Sequence, residues 1–495
     1  VLDEQDQSIA ARILMEINSR LSTMVSIGLG YLSLQRPAST LSGGETQRIH
    51  LTRLLGSNLT GSMYLLDEPS VGLHPRDTAN LISALKKLRN LGNTVILVEH
   101  EEEVIKHADF LVDMGPEAGI MGGEVIFTGN YTDIETSPVN NSLTIDYLLG
   151  RKKIEVPSQR RVSRSFLKME KVNLHNLKDV DVTIPLNCIV CVTGVSGSGK
   201  SSLIKGVLYP TLENAIQNDL TEASTNFIQR LSGDIKRINK VEMIDQQPIG
   251  KSSRSNPVTY VKAYDYIRDL FTSQPMSKLR GFKPKHFSFN VEGGRCETCK
   301  GEGVTVVDMQ FLADVTLVCE ECKGMRFKNE VLDVKYKDKN IFDVLEMDIM
   351  EAVTFFEGNN EIINRIMPLY EIGLGYVRLG QSSSSLSGGE AQRVKLASFL
   401  TKENKVAHTL FIFDEPTTGL HFEDVRKLLI AFNKLIEKGN SIIIVEHNME
   451  VIKSSDYLID IGPEGGAEGG EILYQGVPEG LLKVKKSHTA KYLKV

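Results

Sequence analysis

Cys188-Ile-Val-Cys-Val-Thr193 runs directly into Gly194-Val-Ser-Gly-Ser-Gly-Lys-Ser201, and this stretch decides how the 495-residue chain is read. A short apolar strand feeds a Gly-x4-Gly-Lys-Ser loop. Such a loop turns its backbone amides inward around phosphate, and the helix after it adds partial positive charge. Lys200 is expected to reach the β- and γ-phosphates of a nucleotide, and Ser201 to ligate Mg²⁺. Gly194, Ser196, Gly197, Gly199 and Ser202 complete the expected cradle.

On either side of this stretch a second pattern occurs, twice in all. Leu41-Ser42-Gly43-Gly44-Glu45-Thr46-Gln47-Arg48 returns as Leu386-Ser387-Gly388-Gly389-Glu390-Ala391-Gln392-Arg393, 345 positions later. Asp67-Glu68-Pro69 returns as Asp414-Glu415-Pro416, and Glu99-His100 as Glu446-His447, both at an offset of 347. Each pair closes an apolar strand. The phosphate loop precedes only the second copy, and the chain opens on Val1. The expectation is the C-terminal part of a longer tandem protein, interrupted inside its first module, with one competent nucleotide site.

Chemistry assigns roles in the second copy. Asp414, at the tip of its strand, is placed to hold Mg²⁺ directly or through water. Glu415 is the expected base or polariser of the attacking water. His447 is expected to sense the γ-phosphate, and Gln246 or Gln247 to link metal and water to the inserted domain.

Strand and helix patterns alternate over both copies, as in a parallel sheet. Residues 1–60 read as the signature region of the first module, with helical spacing from Ile9 to Leu21. Residues 61–150 read as its ATP-binding core without a phosphate loop: Met63–Leu66 a strand, about Asp77 to Leu91 a helix, Thr94–Val98 a strand. The basic, Pro/Ser-containing stretch 151–165 reads as a linker. Residues 166–250 and 405–495 form the second core, with strands at Thr409–Phe413 and Ser441–Val445. Lys200 and Ser387 stand 187 positions apart, far more than one such module needs. An insertion is therefore expected within a signature domain at 251–404, carrying a zinc module at about 282–330.

That module is announced by Cys296-x2-Cys299 and Cys319-x2-Cys322, with 19 residues between the pairs. Four thiolates at this spacing suit a closed, structural Zn²⁺ site in a reducing cytoplasm. Each pair is followed by Lys-Gly, and the alternation from Val304 to Val318 suggests a hairpin. Cys188 and Cys191 read as small core residues.

The net charge of −6 advertises no anionic partner, but residues 251–300 hold ten Lys/Arg against four Asp/Glu. A basic stretch in an acidic chain is an electrostatic footprint for nucleic acid. Arg254, Lys262, Lys283, Lys285 and Arg295 are the expected phosphate contacts. No apolar run is long enough for a membrane helix.

Leu-Ser-Gly-Gly-Glu with Asp-Glu-Pro and Glu-His resembles the ABC-type ATPases. The resemblance implies that the signature of one module closes over nucleotide held by the other, so that Ser42, Gly43 and Gly44 would cap ATP gripped by Lys200. Asn256-Pro-Val-Thr-Tyr260, Phe287-Ser-Phe-Asn-Val291, Gly293-Gly-Arg-Cys296 and Gly301-Glu-Gly303 narrow it further. So do Ile27-Gly-Leu-Gly30 and Gly72-Leu-His74, echoed at Ile372–Gly375 and Gly419–His421. These resemble the UvrA family of excinuclease subunits, over essentially the whole chain. The implied fold is α/β: tandem ABC-type P-loop ATPase modules, the first truncated, with a helical/zinc-hairpin insertion in the second. The resemblance implies a cytoplasmic ATPase that recognises damaged double-stranded DNA in nucleotide excision repair and dimerises as the full-length protein. It also implies that the UvrB-binding region of the family lies before the first signature. A transporter subunit would not explain the four cysteines, and chromosome-structure ATPases carry coiled coil there. A zinc-dependent DNA-binding module without turnover, and a specialised paralogue, stay open.

Overall fold

The computed structural model describes residues 4–38, 41, 43–55, 60–135, 141–250, 254–307, 309, 315–401 and 408–493. Ser42, one of the expected capping residues, lies outside them. The chain forms two compact units: one of Val1–Met114, Glu124–Met243 and Val406–Val495, the other of Gly115–Gly123 and Ile244–Lys405.

The first unit is built on a six-stranded sheet in the order Lys240–Ile244, Thr409–Asp414, Ser441–Val445, Ile189–Thr193, Tyr457–Gly462, Glu471–Gly476. The strand Ile189–Thr193 runs parallel to both of its neighbours, and Ser441–Val445 parallel to Thr409–Asp414. Strands buried on both faces must be apolar throughout, and Ile189–Thr193 and Ser441–Val445 are buried at every position. A four-stranded antiparallel sheet contains Phe166–Val172, Val180–Pro185 and Ile228–Gly233. Between the sheets lie Leu203, Ile204, Val207 and Leu208 of a π-helical turn, packed with Leu167, Val182 and Ile412. The ladder pairs Asp414 with Val445 and Val445 with Val192. It thereby brings Gly194, Asp414 and Glu446 to one edge, at the carboxyl ends of the strands, where open α/β sheets bind ligands.

The first half repeats this plan with a gap. Met63–Asp67 and Thr94–Val98 pair in parallel, while Leu111–Gly115 pairs separately with Glu124–Gly129. In the second half the phosphate-loop strand stands between the corresponding strands; among the described residues the first half has none there. Met63, Leu65, Ile96, Val98, Val112 and Met114 are accordingly 44–72% exposed. Their counterparts 347 positions on, Leu410, Ile412, Ile443, Val445, Ile459 and Ile461, are at most 1% exposed and share one core with the turn after the phosphate loop. The same substitution in the two halves should therefore differ sharply. Ile412→Ala should cost about 2–5 kcal/mol, whereas Leu65→Ala should stay within about 0.5 kcal/mol. Denaturant midpoints measure both, and equal losses would contradict the exposed face.

The second unit is mainly helical, with Ala263–Thr272, Asn360–Glu371 and Gly388–Leu400 as its longest helices. Its core is aromatic: Phe271, Phe287, Phe289, Phe327 and Phe356 are fully buried. Ser387 caps the helix Gly388–Leu400 reciprocally with Glu390, whose carboxylate also accepts from the Tyr376 hydroxyl at 2.7 Å. The first unit repeats the detail, with the Tyr31 hydroxyl donating to Glu45 at 2.7 Å. The expected hairpin forms as Val304–Val307 against Val315–Val318.

Candidate nucleotide and metal sites

The phosphate loop is held from outside by neighbours that the sequence did not announce. Asn176 donates from its amide to the carbonyls of Gly197 and Gly466, both at 3.1 Å. The amides of Gly466 and Gly470 donate to Gly197 and Ser198. Gly194 and Gly199 sit at φ +136° and +115°, and a Cβ at Gly194 would stand 2.0 Å from the Ile461 carbonyl oxygen. Only glycine fits such a turn. At the end of the strand and in the loop, the hydroxyls of Thr193, Ser196 and Ser198 are buried without a hydrogen-bond partner. Buried polar atoms are normally satisfied, so three orphans in one concave turn fit an oxygen-rich ligand. Lys200 donates to the carbonyls of Gly194 and Val195 at 2.9 Å each. Burial lowers its affinity for its proton, opposed by the carboxylates of Glu415, Asp77, Asp414 and Asp460. Ser202 bonds His175 at 3.0 Å.

Glu415 holds φ +46°, and Glu68, its counterpart, +44°. Side chains seldom adopt this backbone region, and such strain clusters at functional sites. Burial, then Asp414 and Glu446, raises the Glu415 carboxyl well above the usual carboxylate range. The two halves meet reciprocally at these residues. A Cβ on Gly72 would lie 2.9 Å from a Glu415 carboxylate oxygen, and one on Gly419 would lie 2.9 Å from a Glu68 carboxylate oxygen. Each half thus lays the turn after its own Asp-Glu-Pro against the other half's glutamate.

Tyr31 ties the first signature to the loop. Its ring would touch a Cβ on Gly197 at 2.5 Å, and its hydroxyl bonds Glu45 of the helix Gly43–Leu55. Gly44 in that helix faces the Val71 carbonyl, which a Cβ would approach to 2.8 Å. The repeated Ile-Gly-Leu-Gly-Tyr, ending in Tyr31 and Tyr376, carried the signal for this contact.

His447 is buried, and its Nδ1 has no hydrogen-bond partner. Its ring meets His74 of the other half edge-on at 5.9 Å. Burial, with Lys200 nearby, keeps both imidazoles neutral. The His74 Nδ1 accepts from the Arg76 amide, so its Nε2 carries the proton and donates to Thr489, whose hydroxyl donates to Asp460 at 3.1 Å. Glu446, by contrast, is a staple. Its carboxylate accepts from the amides of Thr417, His447 and Asn448 at 2.9, 2.7 and 2.9 Å. Glu99 does the same for Ser70 and His100. Glu446→Ala leaves those buried amides unpaired and should cost about 3 kcal/mol, read as a fall in Tm; an unchanged Tm would contradict the staple.

In the second unit, Gln246 lies against Gly388, where a Cβ would meet its amide oxygen at 3.2 Å. Gln392 and Lys395 bond Ile244 and Asp245 on the same stretch.

The four cysteines of the module converge. Cys296 and Cys319 have their sulfurs 3.9 Å apart, Cys299 and Cys322 3.7 Å, and all four ligand atoms lie within 4.8 Å of one another. Sulfurs about 2.3 Å from a tetrahedral ion stand roughly 3.8 Å apart, so the set fits Zn²⁺. The knuckles match: Lys300 and Lys323 both adopt φ +49°, and Gly301 and Gly324 both +86°. The Gly303 amide donates to the Cys299 sulfur at 3.2 Å. Cys188 and Cys191 are buried and form no disulfide, the Cys188 thiol donates to the Pro185 carbonyl, and burial pushes both thiols up.

The basic stretch divides. Lys262, Lys283 and Lys285 are exposed, and Arg254 pairs with Glu302 at 3.4 Å. Arg295 departs from the expectation: it is buried, pairs with Glu297 at 3.2 Å and Glu292 at 3.7 Å, and donates to the Asn290 carbonyl. Its geometry is that of a brace inside the cysteine module.

No family model matches the chain. It is 50% identical over 494 residues to UvrABC system protein A of Aquifex aeolicus (strain VF5), covering 100% of this chain and 53% of that protein. The Staphylococcus aureus (strain COL) protein of the same name is also 50% identical over 494 residues, and 52% of it is covered. Over its whole length the chain is similar to proteins of the UvrA family. It spans about half the length of the curated relatives it matches. The crystal structure of UvrA2 from Deinococcus radiodurans superposes with TM-score 0.91 at 44% identity, covering 99% of this chain and 59% of that one. A model of ribosome-bound archaeal Pelota and ABCE1, at TM-score 0.52 and 19% identity, shares the fold alone. The fold is therefore the α/β tandem ABC-type one.

Proposed function

We propose that the chain carries one composite ATP site and serves an ATPase that recognises damaged double-stranded DNA in nucleotide excision repair. The observation that carries this reading is the reciprocal approach of Gly72 to Glu415 and of Gly419 to Glu68, which sets the halves head to tail. Lys200 and the amides of residues 194–202 grip the phosphates, while Ser42, Gly43 and Gly44 cap them from the other half. Ser201 and Asp414 hold Mg²⁺, which neutralises phosphate charge when bound. Glu415, its carboxyl raised by burial, accepts a proton from or orients the attacking water. His447, neutral and with an unpartnered Nδ1, offers a hydrogen bond toward the γ-phosphate. Steady-state ATPase assay tests the reading: wild type should turn over, Glu415→Gln should bind ATP without turnover, and equal rates would end the assignment.

We propose signature regions at 1–60 and 251–404, cores at 61–150 and at 166–250 with 405–495, and a linker at 151–165. The cysteine module at about 282–330 holds structural Zn²⁺. Arg254, Lys262, Lys283 and Lys285 face DNA phosphates; Arg295 leaves that set. Phosphate contacts carry little sequence information, which suits a reader of duplex shape and deformability. Lys283→Glu with Lys285→Glu should weaken duplex binding and flatten the slope of log K against log salt by about 2. Unchanged affinity across salt would retire both residues. The proposed partners of the intact protein are DNA, a second copy and UvrB, in the cytoplasm; among the described residues no helix is long and apolar enough to cross a membrane.

A further inference from the structure

We propose that Lys205 stands in for the metal cation at the nucleotide site, holding Asp414 until Mg²⁺ takes that carboxylate, and thereby sets the Mg²⁺ concentration the site requires. The inference rests on the nucleotide-site reading above. Lys205 lies five positions past Lys200, on the π-helical turn Ser202–Leu208. Leu203, Ile204, Val207 and Leu208 of that turn are buried in the core, which leaves Lys205 on the opposite, solvent-facing side. From there its Nζ donates to the Asp414 Oδ2 at 2.5 Å, with side-chain exposures of 39% for Lys205 and 22% for Asp414. Lys200 is occupied elsewhere, on the carbonyls of Gly194 and Val195. Asp414 adjoins Glu415, so a positive group at its oxygen offsets two neighbouring carboxylates.

An ammonium on a four-carbon stem is a mobile point charge and can swing aside into solvent. A divalent cation binding the same oxygen must displace it. The two cations therefore compete, and the competition costs the metal whatever the ion pair contributes.

Lys205→Met keeps the stem and removes the charge; Lys205→Arg keeps the charge. Binding of a fluorescent non-hydrolysable ATP analogue is titrated with Mg²⁺ at fixed nucleotide, alongside Lys200→Ala. Lys205→Met should lower the half-saturating Mg²⁺ about fivefold, equivalent to about 1 kcal/mol for a half-exposed pair. Lys205→Arg should leave it at or above the wild-type value, and the Tm without Mg²⁺ should fall slightly in Lys205→Met, by the loss of the same ion pair, and not in Lys205→Arg. A half-saturating Mg²⁺ within twofold of wild type in Lys205→Met overturns the proposal, and a raised one shows that Lys205 helps to hold the nucleotide. Wild type that binds nucleotide through Lys200 while Lys205→Met behaves normally removes this inference alone. Wild type that binds none removes the nucleotide site as well.

Discussion

Lys200→Ala is expected to lower affinity for a non-hydrolysable ATP analogue about 100-fold, the worth of a buried charge-assisted contact to phosphate. The fold should survive, because Lys200 bonds only two carbonyls of its own loop, both within six residues. Equilibrium binding with near-ultraviolet circular dichroism separates the two effects. The charge matters more here than in an open site. Lys200 is buried among Glu415, Asp77, Asp414 and Asp460, so removing it leaves those carboxylates facing a polyanion uncompensated. Affinity within threefold of wild type would show that the loop does not grip phosphate.

The second large effect concerns the cysteines. Cys319→Ser, or chelation of the metal, should abolish structure around the hairpin Val304–Val307 and Val315–Val318. Structural Zn²⁺ contributes about 10–16 kcal/mol of apparent binding free energy to small modules of this kind. The described part of the hairpin has little else to hold it, since every residue of Val315–Val318 is exposed. Limited proteolysis should cut within about 282–330 after chelation, and metal analysis should give one zinc per chain. Protection from protease after complete metal removal would contradict a structural role. The helix Gly388–Leu400 should be spared, because Glu390, Tyr376 and Gln392 fasten it independently.

Much of the fold was legible because local pattern and burial agree. Thr94–Val98, Ser441–Val445 and the two strands of the hairpin form where alternation or apolar runs place them. The first helix of the core runs Pro75–Asn90, slightly earlier than the reading from Asp77, because His74 caps it. What pattern cannot report is convergence from afar. Tyr31 meets Gly197 across 166 positions, and Asn176 fastens Gly466 across 290. Glu446 looked like half of a dipeptide marking a histidine, yet it is the group that ties the strand ends together. Arg295 shows the converse. A basic residue in a basic stretch reads as surface, but its burial beside Glu297 follows from the turn that carries Cys296, and composition does not encode turns.

The sequence carries one phosphate loop, and among the described residues the other half has no strand in the corresponding place. Leu65 and Ile96 lack the cover that Leu203 and Ile204 give their counterparts. The proposed site is a single composite one, shared between Lys200 and the first signature. Calorimetric titration of the wild-type chain with a non-hydrolysable ATP analogue and Mg²⁺ tests this most directly. The expected result is one nucleotide per chain, lost in Lys200→Ala; two equivalent sites, or binding that survives that substitution, would contradict it.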